Sequence, residues 1–290
     1  MPNAVEPPSE SPTRLATAYA LLADAAGARP WRPLAGGTDL MVQMTGEIGE
    51  PPERILDIWG LDELRGIVLE EGAVAIGALT TYTEIRRSPV LAEHLPALVD
   101  AAATIGAAQI QNRGTIGGNV INASPAGDTL PVLLAVGAEM VLGSASGERS
   151  VGADEFWPAY RTTARRDDEL LLRIRIPLVP DREVRFRKIG TRRAQAISKV
   201  VMALAWRSRG DGVWTDVRLA LGSVAATTAR AVAAETALEG ATPTREVADA
   251  AVAALVSELR PIDDVRSTAD YRRLVSGRAL HRIIRDAAGW

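Results

Sequence analysis

The sequence predicts an α+β protein of two units, and three observations carry that reading. The last part of the chain, roughly a hundred residues, reads as strands first and helices afterwards, the pattern of an antiparallel sheet with helices packed on one face. The part before it mixes short strands and helices with no regular βαβ alternation. Between them "LVPDRE" (178–183) reads as a linker. The units are expected at 11–178 and 183–287, with residues 1–10 as a flexible lead rich in Pro, Ser and Glu.

A first helix is expected over "RLATAYALLADA", capped by Ser11 or Thr13 and stopped by Gly27 and Pro30. "WRPLAGGTDL" follows as a short strand running into a glycine turn. Arg54–Ile58 and Ala73–Ala78 are short strands bounded by Gly and Pro. From Leu91, apolar residues recur at Leu95, Leu98, Ala102 and Ile105, which makes one helical face. The stretch "QNRGTIGGNV" reads as a loop. "DTLPVLLAVGAEMVLGSASGERSV" reads as a short apolar helix and a hairpin turning at Ser146-Gly147. In "LLLRIRIP" (170–177), Leu172, Ile174 and Ile176 face one way, Arg173 and Arg175 the other.

Beyond the linker, strands are expected near Arg185–Ile189, Ile197–Trp206 and Val213–Gly222. In the last, Val217, Leu219 and Leu221 alternate with Arg218 and Ala220, as in a sheet with one buried face. Helices over Ala229–Leu238, Arg245–Leu259 and Thr268–Ala287 close the chain. Trp157, Trp206 and Trp214 suit either core or interface.

Composition removes several function classes. A net charge of −3 over 290 residues gives no basic surface for nucleic acid. The absence of cysteine rules out thiolate zinc, iron–sulfur ligation and a cysteine nucleophile on this chain. With only His94 and His281, both in helical stretches, a histidine metal site or a Ser-His-Asp triad is not indicated. Redox chemistry here would need an organic cofactor. No stretch approaches the roughly 20 apolar residues of a membrane span. No secretory signal precedes the first helix, so a cytoplasmic location is expected.

Two glycine pairs stand out, in "LAGGTDL" (34–40) and "GTIGGNVINASPAGD" (114–128). Glycine permits positive φ and close approach of a ligand to main chain, and successive N–H groups in such a turn converge on an anion. Thr and Asn add neutral donors. The pair therefore reads as two halves of an anion cradle; the plainer alternative is two tight turns. Asp39 and Asp128 would repel phosphate, so they suit hydroxyls, ring N–H groups or loop amides. Neither loop has the GxGxxG or GxxxxGK[ST] spacing of dinucleotide and nucleotide turns.

At these residues the chain resembles the medium, FAD-carrying subunit of molybdenum hydroxylases, the group of xanthine dehydrogenase and carbon monoxide dehydrogenase. The likeness runs from about Ser11 to His281 and includes "IGALTTYTEI", "RKIGTRRAQAISKV" and "DVRSTADYRRLVSGRAL". It implies a two-subdomain FAD-binding domain of the PCMH/vanillyl-alcohol-oxidase type. A small C-terminal domain follows, a three-stranded antiparallel sheet with helices. Carried over by position, Ala35, Gly36, Gly37, Thr38 and Asp39 would wrap the FAD diphosphate, with Leu34 and Leu40 as apolar neighbours. Thr115, Gly117, Gly118 and Asn119 would supply the second half, with Ile105 and Ile116 beside them. A branched side chain at Gly117 would then block the diphosphate. Ser124 shapes the following turn, and Asp128 would meet the ribityl and adenosine region. Leu171 would lie near the flavin ring. Lys188, with Lys199 on the same segment, would stabilise negative charge on reduced flavin.

The resemblance further implies electron transfer from [2Fe-2S] clusters to FAD and on to NAD+, a quinone or O2. The clusters would sit on a small iron–sulfur subunit and the molybdopterin on a large subunit, in a dimer of heterotrimers. It assigns this chain no catalytic side chain and no metal ligand. A standalone FAD-dependent oxidoreductase and a flavin-free assembly module are the alternatives.

Overall fold

In a computed structural model, which describes residues 7–24, 30–44, 51–192 and 195–290, the chain forms three sheets with helices between them. The first sheet is small and parallel: β1 (Ser9–Glu10), β2 (Arg32–Leu34) and β3 (Ile55–Asp57) in the order β1-β3-β2. The expected flexible lead thus contains a strand, Ser9 and Glu10 pairing with Ile55 and Leu56; residues 1–6 lie outside the described ones. Helix α1 (Leu15–Asp24) buries Ala18 and Leu22 in a cluster with Trp31, Leu56 and Leu61. Its expected stop at Gly27 lies outside the described residues.

The second sheet is antiparallel, in the order β4-β5-β8-β6-β7: β4 (Ile67–Glu70), β5 (Ala73–Gly77), β6 (Glu139–Ser144), β7 (Gly147–Gly152) and β8 (Leu170–Pro177). Alternation in β8 holds only past a bulge between Leu171 and Arg173: Leu172, expected on the face of Ile174 and Ile176, packs instead with Leu170 in the cluster of Trp31 and Leu56, and Leu171 takes its place in the core. Ile174 and Ile176 enter the core, while Arg173 meets Glu148 at 2.7 Å and Arg175 meets Glu70 at 3.2 Å. Those half-exposed pairs add only a few tenths of a kcal/mol each, roughly; the buried face does most of the holding.

Helices α2 (Leu40–Met44), α3 (Tyr82–Arg87), α4 (Pro89–His94), α5 (Pro96–Ala103), α6 (Ala108–Gln111), α7 (Ile116–Asn122), α8 (Leu130–Ala135) and α9 (Ala153–Phe156) complete this part. The single helix expected from Leu91 is two. Pro96 has no N–H to continue the ladder and keeps Leu95 out of helical space, at φ −142° and ψ 52°. The apolar face survives the break, with Leu91, Leu95, Leu98 and Ala102 all buried. The stretch read as a loop is also partly helical. Thr115 Oγ1 accepts from Gly118 N at 3.0 Å, so the glycine pair forms the first turn of α7.

The third sheet is antiparallel, β12-β11-β10-β9: β9 (Arg182–Ile189), β10 (Val200–Ser208), β11 (Trp214–Gly222) and the two-residue β12 (Ala229–Arg230). The expected three strands gain a fourth because Ala229 and Arg230, read as helix, pair with Leu221 and Ala220. Helices α10 (Val232–Leu238), α11 (Arg245–Glu258) and α12 (Ala269–Ala288) cover the face carrying Met202, Leu204, Leu219 and Leu221. The other face is not open to solvent. Ala203, Ala205 and Ala220 are fully buried in the core of the first unit, beside α5 and α8. The one-faced burial read from β11 therefore understates the packing: alanines fill the second face because another layer lies close. Trp206 and Trp214 stack at 4.5 Å and Trp157 donates to Val120 O, so all three tryptophans are core.

Candidate functional site

A cavity of about 1140 Å³ lies where β2 ends, α7 begins and the third sheet meets the first unit. Its walls include every expected site residue except Ile116 and Lys199. The two glycine stretches, far apart in sequence, touch there. Gly36 packs so tightly on the Arg113 carbonyl that no Cβ fits, and a Cβ would also come 3.2 Å from Gly114 N. Gly37, at φ +77°, turns the chain so that its carbonyl accepts from Met41 N at 2.9 Å, opening α2. The main-chain N–H groups of Gly36, Thr38 and Asp39 have no acceptor among the described residues.

The second stretch behaves differently. Gly117 N donates to Ala78 O at 2.9 Å, Gly118 N to the Thr115 hydroxyl and Asn119 N to Thr115 O at 3.1 Å, so these amides are spent inside the fold. A Cβ on Gly117 would lie 2.5 Å from Ala78 O. The expectation that Gly117 keeps space for a diphosphate is thus corrected: it keeps space for the strand-end backbone behind it. Ile116 is fully buried in the core, its N–H on Thr80 O, and does not reach the cavity. Gly117→Val is accordingly expected to destabilise the whole first unit by about 3 kcal/mol, seen as a lower urea midpoint with no ligand present.

Asp128 joins the two units. Oδ2 accepts from Lys188 Nζ at 2.5 Å and from Thr104 Oγ1 at 3.2 Å; Oδ1 accepts from Ser198 Oγ. Lys188 Nζ also donates to Thr104 O at 3.1 Å. Burial pushes the Asp128 carboxyl up from its ordinary value, against the pull of Lys188, Ser198 and Thr104. Lys199 is elsewhere, 4.7 Å over the Tyr271 ring. Ser124 shapes the turn, its Oγ accepting from Ala126 N and its carbonyl from Gly127 N. Ile105 and Leu171 provide apolar wall.

Residues 6–179 match the model of the FAD binding domain in molybdopterin dehydrogenase, and 185–287 that of the CO dehydrogenase flavoprotein C-terminal domain. The chain belongs to the family of FAD-binding medium subunits of molybdenum hydroxylases. It is 33% identical over 254 residues to the carbon monoxide dehydrogenase medium chain of Hydrogenophaga pseudoflava, covering 88% of each. It is 35% identical over 244 residues to the glyceraldehyde dehydrogenase medium chain of Sulfolobus acidocaldarius, covering 84% of this chain and 86% of the other. A chain in the structure of the Hydrogenophaga pseudoflava carbon monoxide dehydrogenase superposes with a TM-score of 0.90, at 33% identity over 96% of each chain. Relatives of the flavoprotein are thus dehydrogenase subunits, and the expected two-domain FAD-binding fold holds.

The cavity of the flavoprotein fits FAD in three respects. It exceeds the usual volume for a small ligand. The first glycine turn offers unpaired N–H groups with no side chain in the way. The Tyr82 hydroxyl, on a cavity-lining residue, is buried beside Thr129 and makes no well-formed hydrogen bond among the described residues. That hydroxyl is held well above its ordinary pKa by burial and by Asp128 and Asp39, against the pull of Thr129, and so stays neutral. Asp39 faces the cavity, its carboxyl raised by desolvation against the pull of Arg161.

Sequence reasoning missed Tyr82, Arg161, Ile197 and Ser198. Tyr82 had a local signal: Thr81 and Glu84 form a capping box that puts it at the first helical position. Arg161 had none. It sits at φ +51° with Nη1 on Asn122 Oδ1 at 2.9 Å, in a loop pinned by Glu169. Burial would push the Glu169 carboxyl up, but hydrogen bonds from the Arg149 guanidinium (2.6 and 2.8 Å) and Arg166 N (2.7 Å) hold it below its ordinary value. A lowered carboxylate stabilises above its unfolded pKa and stops doing so as pH falls through its folded pKa. Glu169→Gln is expected to cost about 2 kcal/mol at neutral pH, a deficit that urea melts should show closing in acid. Among the described residues there is no metal-ligand cluster and no helix long and apolar enough to cross a membrane.

Proposed function

We propose that this chain is the FAD-carrying electron-transfer subunit of a molybdenum hydroxylase complex. It takes electrons from [2Fe-2S] clusters on a small iron–sulfur subunit and delivers them to an external acceptor, NAD+, a quinone or O2. A large molybdopterin subunit holds the substrate. The assembly is a dimer of heterotrimers in the cytoplasm. The observation that carries the reading is the meeting of the two glycine stretches at one cavity, with unpaired main-chain donors on the first.

The residues divide the work. Gly36, Gly37, Thr38 and Asp39 offer N–H groups to the diphosphate, with Leu34, Ala35 and Leu40 as their apolar setting. Thr115, Gly118 and Asn119 border it through side chain and helix start, and Gly117 sets how closely that helix packs. Tyr82 lends a neutral hydroxyl, shared with Thr129, behind the cavity wall. Ile105 and Leu171 exclude water from the ring, and Lys188 places an ammonium, balanced by Asp128, at the cavity wall. When bound, FAD supplies reversible one- and two-electron transfer.

Purification from the native source tests this. The chain should carry flavin absorbance and bring iron–sulfur and molybdopterin subunits with it. Flavin in the isolated chain should not bleach with a hydroxylase substrate until those subunits are added back. Direct bleaching would make it a standalone oxidoreductase; a colourless chain inside an intact complex would make it an assembly module.

A further inference from the structure

We propose that Ser198 is a positioning residue for the cofactor site: its hydroxyl, donated to Asp128 Oδ1, aims the carboxylate that holds the Lys188 ammonium at the cavity wall. The proposal rests on the flavin reading above and adds a residue to it. Ser198 is only 1% exposed and lies between Ile197, which lines the cavity, and β10. Among the described residues its hydroxyl is the partner recorded for Oδ1, whereas Oδ2 serves both Lys188 and Thr104. Without it, Oδ1 of a buried carboxylate has no donor, and only the Oδ2 contacts to Lys188 and Thr104 set the angle of the carboxylate.

Ser198 is itself fixed from behind. Its carbonyl accepts from Ser223 Oγ at 2.9 Å. Ser223 N donates to Pro125 O at 2.7 Å, and Ser223 O accepts from Arg272 Nη1 at 2.8 Å. Arg272 Nη2 then reaches Asp264 Oδ1 at 2.8 Å. A hydrogen-bonded line thus runs from the cavity lysine through Asp128, Ser198, Ser223 and Arg272 to the loop after α11. From Arg272 inward the donors run one way, Arg272 to the Ser223 carbonyl, the Ser223 hydroxyl to the Ser198 carbonyl and the Ser198 hydroxyl to Asp128, while Arg272 is anchored on its far side by Asp264.

The groups facing Asp128 are Lys188 from β9, Thr104 after α5, Ser198 before β10 and, through its field, the neutral Tyr82 phenol from α3. Removing a donor from the ionised carboxylate raises the pH at which it takes up a proton. Ser198→Ala is expected to move the Asp128 titration up by about one pH unit, read in the flavin-free chain as the Asp128 side-chain carbonyl chemical shift in NMR. In the FAD-loaded chain, the inflection in flavin midpoint potential against pH should move by the same amount. Ser198→Thr, which keeps the hydroxyl, should restore both. If the alanine variant fails to fold, Ser198→Cys fills the space with a weak donor and should shift both readings part of the way.

Coincident Asp128 titrations in the variant and the parent chain overturn the proposal. A shifted titration with an unmoved flavin inflection also overturns it, leaving Ser198 as a fastening between the two units. Failure of the flavin reading looks different, because parent and variants alike would then hold no flavin, whatever the Asp128 titration does.

Discussion

Gly36→Ala is expected to abolish flavin retention and to lower FAD affinity at least about a hundredfold. The added methyl has nowhere to go, since the Arg113 carbonyl already occupies its place. The two glycine stretches must therefore separate, and the N–H groups of Gly36, Thr38 and Asp39 lose their common aim. The β2–β3 pairing should survive, because Arg32, Pro33 and Leu34 pair with Ile55, Leu56 and Asp57 ahead of the turn. The test is flavin content and tryptophan fluorescence of the purified variant. A folded variant with parental flavin content would show that the contact with Arg113 does not shape the cradle. Gly37→Ala makes a useful contrast: its Cβ would meet only ordinary contacts, at 3.4 Å from Leu34, and its cost is the strain of φ +77° alone.

Asp128→Leu is expected to cost about 3–5 kcal/mol, because it leaves the Lys188 ammonium, 9% exposed, without a carboxylate. Lys188→Met in the same chain should recover most of that stability, since two apolar side chains need no desolvation to be repaid. Function should not recover: the double variant has no ammonium at the cavity wall, so its flavin should be harder to reduce than the parent's. The direction of the Asp128 shift supports this asymmetry. A carboxyl whose folded pKa is raised favours folding below its unfolded pKa, and that contribution is lost as pH rises through the folded value. At neutral pH the ion pair therefore does not stabilise the fold beyond what an apolar pair would. Urea melts of the single and double variants, with dye-coupled potentials, check both halves. A double variant as unstable as Asp128→Leu would refute the argument.

How much of this was legible beforehand follows from physical range. The glycine pairs could be read because a missing Cβ is a local property, and so could the apolar face from Leu91 to Ala102, which persists through a break in the helix. The break itself follows from Pro96, a short-range effect that the wider periodicity masked. "TIGGN" read as a loop because two glycines outweighed one capping threonine; once tertiary contacts fix Thr115, the cap prevails. Lys188 and Lys199 looked alike in sequence. Only the packing of the third sheet on the first unit sends one to Asp128 and the other to Tyr271. Ser198 and Arg161 are chemically ordinary until the chain closes around them, so no local pattern announces them.

The alanine seam formed by Ala203, Ala205 and Ala220 bears on how the cofactor gets in. Side chains this short, with Val184 and Phe186 packed beside them, let the sheet sit close against its neighbour, and a joint filled this way resists swinging or sliding. The cofactor is then expected to enter through the mouth of a preformed vessel. Solution scattering profiles of the empty and filled chain should superimpose.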